Sequence, residues 1–174
     1  CNVLLDHFNA AETLELMERE QIAYMFAVPT MLNALAREAG EVKPDLSKLK
    51  VLQIAAAPIA DETALRGREV FGPVLHQLYG QTEALPIACM GPNQWFADEN
   101  GSTPLRAAGL PLPFADLKIL DPETQEELPL GAEGEIAARC DGQMEGFWNN
   151  PEATAQRMHD GMVLTGDIGR LDKN

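Results

Sequence analysis

Two short segments of this 174-residue chain carry side chains of the right types for chemistry. The first is Tyr79-Gly80-Gln81-Thr82-Glu83. An aromatic ring can cover a purine face, and a glycine lets backbone approach a ligand closely. A threonine hydroxyl can donate to a phosphate oxygen, and a glutamate carboxylate can hold Mg²⁺. The same five residues read equally well as a plain strand-to-helix turn, with Thr82 as cap and Glu83 in the first turn. The second segment is Thr165-Gly166-Asp167. A carboxylate there can accept from both hydroxyls of a ribose, although an ordinary hairpin-turn aspartate fits the three residues alone better. A third stretch runs from Gly134-Glu135-Ile136 through Gly146-Phe147-Trp148-Asn149-Asn150-Pro151-Glu152-Ala153-Thr154. By itself it shows only a strand, a loop and a helix start.

These segments need elements to position them. Asn9 with Glu12 makes a capping-box pattern, so a helix is expected to about Glu20. Ile22 to Val28 is an apolar run suited to a buried strand. Leu32, Leu35, Ala36 and Ala39 recur at helical spacing, with Gly40 as the expected stop. Leu49 to Ala57 reads as a second buried strand. Asp61 is placed to cap a helix that ends at Phe71, before Gly72-Pro73. Val74 to Tyr79 is a third strand, and Tyr79 ends it. Alternating strands and helices of these lengths predict parallel pairing with helices on the faces. Ligands in such sheets sit beyond the strand ends.

After about Cys89 the texture changes. Leu117 to Asp121, Glu135 to Arg139, Met162 to Thr165 and Ile168 to Leu171 read as short strands, punctuated by Gly and Pro. Asn150 as cap and Pro151 at the first helical position predict a helix to about Met158. The expected fold class is therefore α/β. A partial parallel sheet with flanking helices (1–88) is followed by a small, mainly antiparallel, barrel-like part (89–174). The antiparallel part is expected to be under way after about Gly101, and Tyr79 and Asp167 are expected to approach one cleft.

Bulk properties exclude several classes. The formal charge is −14 with no Lys/Arg stripe, so nucleic acid is not an expected partner. Three cysteines, Cys1, Cys89 and Cys140, include no C-x-x-C pair, which indicates neither a disulfide framework nor a zinc site. A reducing cytoplasm is the simplest setting. No apolar run reaches the length of a membrane span. His7, His76 and His159 lack ligand spacing, and His76 is expected to be a packed structural residue. Trp95-Phe96 and Phe147-Trp148 are expected to pack, not to bind ligand. The start at Cys1 and the end at Asn174 read as cuts through a longer protein.

Taken in order, the motifs resemble the adenylate-forming superfamily: acyl-CoA synthetases, luciferases and peptide adenylation domains. Val28-Pro29-Thr30-Met31-Leu32 is similar to its V-P-T-M-L segment. Ala55-Ala56-Ala57-Pro58 is similar to its G-G-A-P turn, with alanine at both glycine positions. Tyr79 to Glu83 matches Y-G-x-T-E, residues 134–154 match G-E-(I/L)…G-Y-W-N-P-E-A-T with Phe147 for Tyr, and Thr165 to Asp167 match T-G-D. The resemblance implies that a carboxylate attacks the α-phosphorus of ATP and that a thiol then takes the acyl group. It implies Tyr79 on adenine, Gln77 near the adenine amino group, and Ala56, Ala57 and Pro58 along the adenine and acyl cleft. It further implies Gly80 as a nucleotide-binding position, Thr82 at the α-phosphate, Mg²⁺ on Glu83, and Asp167 on the ribose, with Thr82 and Glu83 as the candidate catalytic pair.

Gln77 and Gln81 stand where peptide adenylation domains tend to have Asn and Pro. The implied parent is thus a CoA ligase with ATP, Mg²⁺ and coenzyme A, acting on a fatty, branched or aromatic acid. A peptide-synthetase-type domain or an inactive module of the same fold are the alternatives. The family's phosphate loop and C-terminal Lys fall outside these residues. The piece alone is accordingly expected to be inactive and to self-associate through cut sheet edges.

Overall fold

The computed structural model describes residues 2–97 and 104–173. Cys1 and the expected landmark at Gly101 lie outside them. Two compact units are present, the first comprising residues 2–77, 90–97 and 104–107 and the second residues 78–89 and 108–173.

The first unit is layered helix on sheet. Helix α1 (Ala10–Arg19) begins at Asn9, whose side-chain oxygen accepts from Glu12 N at 3.1 Å. Strand β1 (Tyr24–Ala27) pairs in parallel with β2 (Val51–Ile54), and β2 pairs in parallel with the start of β3 (Leu75–Gln81). Helices α2 (Pro29–Val42) and α3 (Asp61–Phe71) make the connections. The apolar stripe read from the sequence is the buried one: Leu32, Leu35, Ala36 and Ala39 face a core with Leu14, Leu52, Ile54, Leu75 and Trp95. Truncating any of the fully buried leucines to alanine typically costs about 2–5 kcal/mol. Gly67 on α3 sits against Leu75 and Leu32, whose side chains would have to shift for a methyl group, which would lie 2.9 Å from Leu75 Cδ2 and 3.0 Å from Leu32 Cδ2. Its smallness lets α3 close on α2.

Two helix-end expectations fail here for identifiable reasons. Helix α2 does not stop at Gly40; it continues to Val42 and ends where Lys43 turns left-handed at φ 51°. Gly40 is exposed, so its weak helix propensity is outweighed by the packed face before it. Asp61 is not the cap of α3; Ala60 is, and Asp61 is the first helical residue. Its carboxylate instead accepts from Arg106 Nη2 at 2.8 Å, which holds the Asp61 carboxyl below its ordinary value. A short helix, α4 (Pro92–Trp95), buries Trp95 beside Phe96, and Trp95 Nε1 donates to Leu105 O.

Strand β3 carries the chain into the second unit. Thr82 and Glu83 form a two-residue turn into β4 (Ala84–Met90), which pairs antiparallel with the short β5 (Leu110–Pro111). The helix considered after Tyr79 is therefore absent; a buried strand with Ile87 and Ala88 inside follows. A four-stranded antiparallel sheet completes the unit in the order β6, β7, β9, β8: β6 (Ala115–Leu120), β7 (Gly134–Cys140), β8 (Met158–His159) and β9 (Met162–Gly169). Between β7 and β8 lies α5 (Pro151–Arg157), capped by Asn150 accepting from Ala153 N at 3.0 Å. The fold class is α/β as expected: a mixed sheet with helices, and an antiparallel sheet.

The phrase from Gly146 to Thr154 is a capped loop. Thr154 Oγ1 accepts from Phe147 N and donates to Asn150 O, both at 2.9 Å. Trp148 overturns the expectation that it packs, being 91% exposed. Neither Cys89 nor Cys140 is in a disulfide, and among the described residues no helix is long and apolar enough to cross a membrane.

Candidate active site

Strand β9 contains the Thr165-Gly166-Asp167 segment inside it. The two strands read from the sequence, 162–165 and 168–171, are one strand with an irregularity. In the pairing with β7, Ile168 opposes Glu135 and Leu164 opposes Ala137, so Thr165, Gly166 and Asp167 together face the single residue Ile136. Such a bulge re-aims side chains without breaking the ladder on either side. Gly166 sits at φ 77°, where a glycine is favoured. A methyl group there would also come 2.9 Å from Arg157 Nη1, because the guanidinium lies against Gly166 and donates to Leu164 O at 3.2 Å.

The bulge is tied from within and from β3. Thr165 Oγ1 donates to Ile136 O at 2.7 Å and accepts from Asp167 N at 3.1 Å. Tyr79 Oη donates to Asp167 Oδ2 at 2.7 Å. Gln81 Nε2 donates to Thr165 O at 3.0 Å. Residues 79 and 81 share one face of β3, so two successive same-face side chains grip two alternate residues of β9. The structure thus brings the two motifs into contact 88 residues apart in sequence. Burial, with the bond to Asp167, pushes the Tyr79 phenol far above its ordinary range, so it stays a protonated donor.

The other candidates fall as follows. Gly80 is glycine for an internal reason: a Cβ would lie 2.6 Å from Leu85 Cδ1 and 3.0 Å from Ala84 O. Thr82 is exposed and Glu83 half-buried in the β3–β4 turn, where Glu83 O accepts from Met144 N at 2.8 Å. Neither the Thr82 hydroxyl nor the Glu83 carboxylate has a partner among the described residues, so both are available. Among those residues no group of three or more His, Cys, Asp or Glu could together hold a metal ion. Glu83 alone is still a fitting donor for Mg²⁺, which takes one or two carboxylates and completes its shell with waters and phosphates.

In the first unit, Gln77 Nε2 donates to Ala107 O at 2.9 Å, while Gln77 Oε1 is buried without a partner. That orphan acceptor suits an amino donor. Ala56, Ala57 and Pro58 follow β2 and are exposed, with Ala56 strained at φ 72°.

Sequence reasoning missed Gln81, Glu135 and Arg157 as contributors to this region. Gln81 and Glu135 lie inside the motif segments but act on residues far away in the chain, so the sequence does not show what they hold. Two cavities in the second unit, of about 270 and 560 Å³, share the Asp116–Arg139 pair and include no residue of either motif. Their cations are already matched, Lys118 by Glu127 at 2.7 Å and Arg139 by Asp116 at 2.8 Å. The contacts between the two motifs, not these cavities, mark the candidate site.

A family model described as "AMP-binding enzyme" matches residues 1–148. The chain is 34% identical over 98% of its length to a feruloyl-CoA synthase of an Amycolatopsis species, of which it covers 33%. It is 35% identical over 98% of its length to 4-coumarate–CoA ligase 1 of Arabidopsis thaliana, covering 30% of it. Among solved structures, the amide bond synthetase McbA from Marinactinospora thermotolerans superposes with a TM-score of 0.87 at 35% identity, over 97% of this chain and 34% of that one. ATP-bound MatB from Rhodopseudomonas palustris gives 0.81 at 26% identity, over 98% and 32%. The chain spans about a third of the length of these relatives. With the family model covering most of the chain, these matches establish that it belongs to the AMP-binding enzyme family.

Proposed function

We propose that the protein carrying this chain activates a carboxylic acid with ATP as an acyl-adenylate and passes the acyl group to coenzyme A. The observation that carries this reading is the contact between Tyr79 and Asp167, which unites the two motifs that would hold the adenosine. The CoA-ligase names of the curated relatives support the acceptor.

Each side chain then has a task. The Tyr79 ring covers the adenine face. Gln77 Oε1, now without a partner, accepts from the adenine amino group. Ala56, Ala57 and Pro58 are assigned as contacts for adenine and the acyl group. Asp167 accepts from the ribose hydroxyls with the carboxylate edge that Tyr79 leaves open. At Gly80 the main chain runs alongside the nucleotide, and the Thr82 hydroxyl donates to an α-phosphate oxygen. Glu83 would hold Mg²⁺, which supplies charge neutralisation at the phosphates when bound. That neutralisation matters on a chain of formal charge −14. The protein's own contribution to rate is positioning and electrostatics, with Thr82 and Glu83 as the catalytic pair.

We assign the protein to the cytoplasm, on the reading that three cysteines without a C-x-x-C pair indicate no disulfide framework. We further propose that the α/β part and the mainly β part, drawn from the sequence as 1–88 and 89–174, belong to one adenylation domain. The similarity to an amide bond synthetase supports a second reading, in which an amine takes the acyl group. Pyrophosphate release from ATP by the full-length protein, across a panel of aromatic and aliphatic carboxylic acids with either CoA or an amine, tests both readings. No release with any acid would remove the first step and both readings with it.

A further inference from the structure

The Thr165–Gly166 peptide is held at both of its polar ends by side chains from two different strands. Its carbonyl, Thr165 O, accepts from Gln81 Nε2 of β3 at 3.0 Å. Its N–H, on Gly166, donates to Glu135 Oε1 of β7 at 2.9 Å. A glycine in a bulge is the place where a peptide plane can turn over at low cost, because ψ of one residue and φ of the next compensate. Gripping both ends of one plane removes that freedom. Asp167 follows one peptide further on, and the direction of its carboxylate depends on how the held plane sets the Gly166 backbone, with Asp167 N itself donating to Thr165 Oγ1.

We propose that Gln81 and Glu135 are positioning residues for the Asp167 carboxylate. They lock the Thr165–Gly166 plane so that the carboxylate is set for a vicinal diol before the nucleotide arrives. Neither residue touches substrate in this account; both act through main chain. The inference rests on the ribose role proposed for Asp167. It adds that the variable position of the Tyr79–Glu83 segment is tied to a nucleotide-recognition carboxylate on another strand. Preorganisation of this kind lowers the ordering cost of binding.

The test compares ATP with 2′-deoxy-ATP on the full-length protein, by calorimetry, with the Michaelis constant for the best carboxylic acid measured alongside. Gln81→Met removes the donor at similar length. Glu135→Met removes the acceptor, and Glu135→Gln keeps one. Gln81→Met and Glu135→Met should each weaken ATP roughly 5- to 10-fold, about one hydrogen bond's worth. Both should reduce the preference for ATP over the 2′-deoxy nucleotide and leave the acid's constant within about two-fold. Glu135→Gln should restore the preference, and amide exchange at Gly166 should accelerate only in Glu135→Met.

Asp167→Ala is the reference. If it abolishes the preference while Gln81→Met and Glu135→Met keep it, the positioning inference is wrong and the ribose role stands. If Asp167→Ala itself keeps the preference, the ribose role falls and the inference with it. Equal losses for ATP and for the acid would mark a general structural defect and overturn the inference. Should Glu135→Met not fold, Gln81→Met alone decides between these outcomes.

Discussion

A bulge and a turn in the second unit carry a candidate carboxylate each, and they are built in opposite ways. Around Asp167, one phenol, one amide, one carboxylate and one hydroxyl bond to three consecutive residues, and a guanidinium lies against the middle one. Around Glu83 the side chains of the turn have no partner at all among the described residues, and only its main-chain carbonyl is held. A ribose diol is a rigid, neutral target that rewards a fixed carboxylate. A hydrated Mg²⁺ brings its own waters and phosphates and needs only a ligand that can reach it. The difference between the bulge and the turn is thus the difference expected between recognising a shape and carrying a charge.

The largest effect should come from the free carboxylate. Glu83→Gln should lower ATP–pyrophosphate exchange by ~100-fold or more, since a transition-state charge contact is lost. The melting temperature should stay put, because no bond in the fold depends on that side chain. An unchanged exchange rate would remove the functional half of the comparison.

Asp167→Ala should come next, raising the Michaelis constant for ATP by ~10- to 100-fold through loss of charge-assisted hydrogen bonds. The acid's constant should be unaffected, since the acid has no ribose. Gly166→Ala sharpens the structural half. It forces a methyl-bearing residue to φ 77° and pushes it against Arg157, so thermal unfolding should show a loss of about 1–2 kcal/mol.

A smaller effect is expected from pH. The folded chain holds the Tyr79 proton more tightly than the unfolded chain does. Its contribution to stability is complete below the ordinary phenol value of 10.0 and is lost as pH rises beyond it. Tyr79→Phe should flatten the alkaline limb of a stability–pH profile and change little near neutrality. A wild-type profile with no alkaline loss that Tyr79→Phe diminishes would contradict this.

What the sequence disclosed follows the range of the forces involved. Asn9 and Asn150 cap helices where their side chains reach three residues ahead, and such caps are local enough to read. The Leu32 to Ala39 stripe was equally legible, because helical period alone decides which face is buried. Strand β4 was not, since Pro86 and the preceding turn obscure an apolar run that is a strand only by virtue of its neighbours. The bulge at Thr165–Asp167 is a register property of two strands, so three residues in isolation look like a hairpin turn.

Within the candidate site, Tyr79 and Asp167 were recognisable by motif, but Gln81 and Glu135 acquire meaning only from the peptide they share. Ala56 is a different case. Its residue type argues against a left-handed backbone, yet the turn adopts φ 72° there regardless. Ala56→Gly should therefore be slightly stabilising, by about 0.5 kcal/mol once the glycine's extra unfolded-state entropy is set against the relieved strain. This is the smallest effect expected, and a denaturant melt resolves its sign.

The most direct test of the adenosine site is a crystal structure of the full-length protein with ATP. The account predicts the Asp167 carboxylate at roughly 2.5–3.0 Å from the ribose hydroxyls, with the Tyr79 ring stacked on adenine and the Thr165–Gly166 plane unchanged. A ribose bound away from Asp167, or adenine bound away from Tyr79, would contradict it.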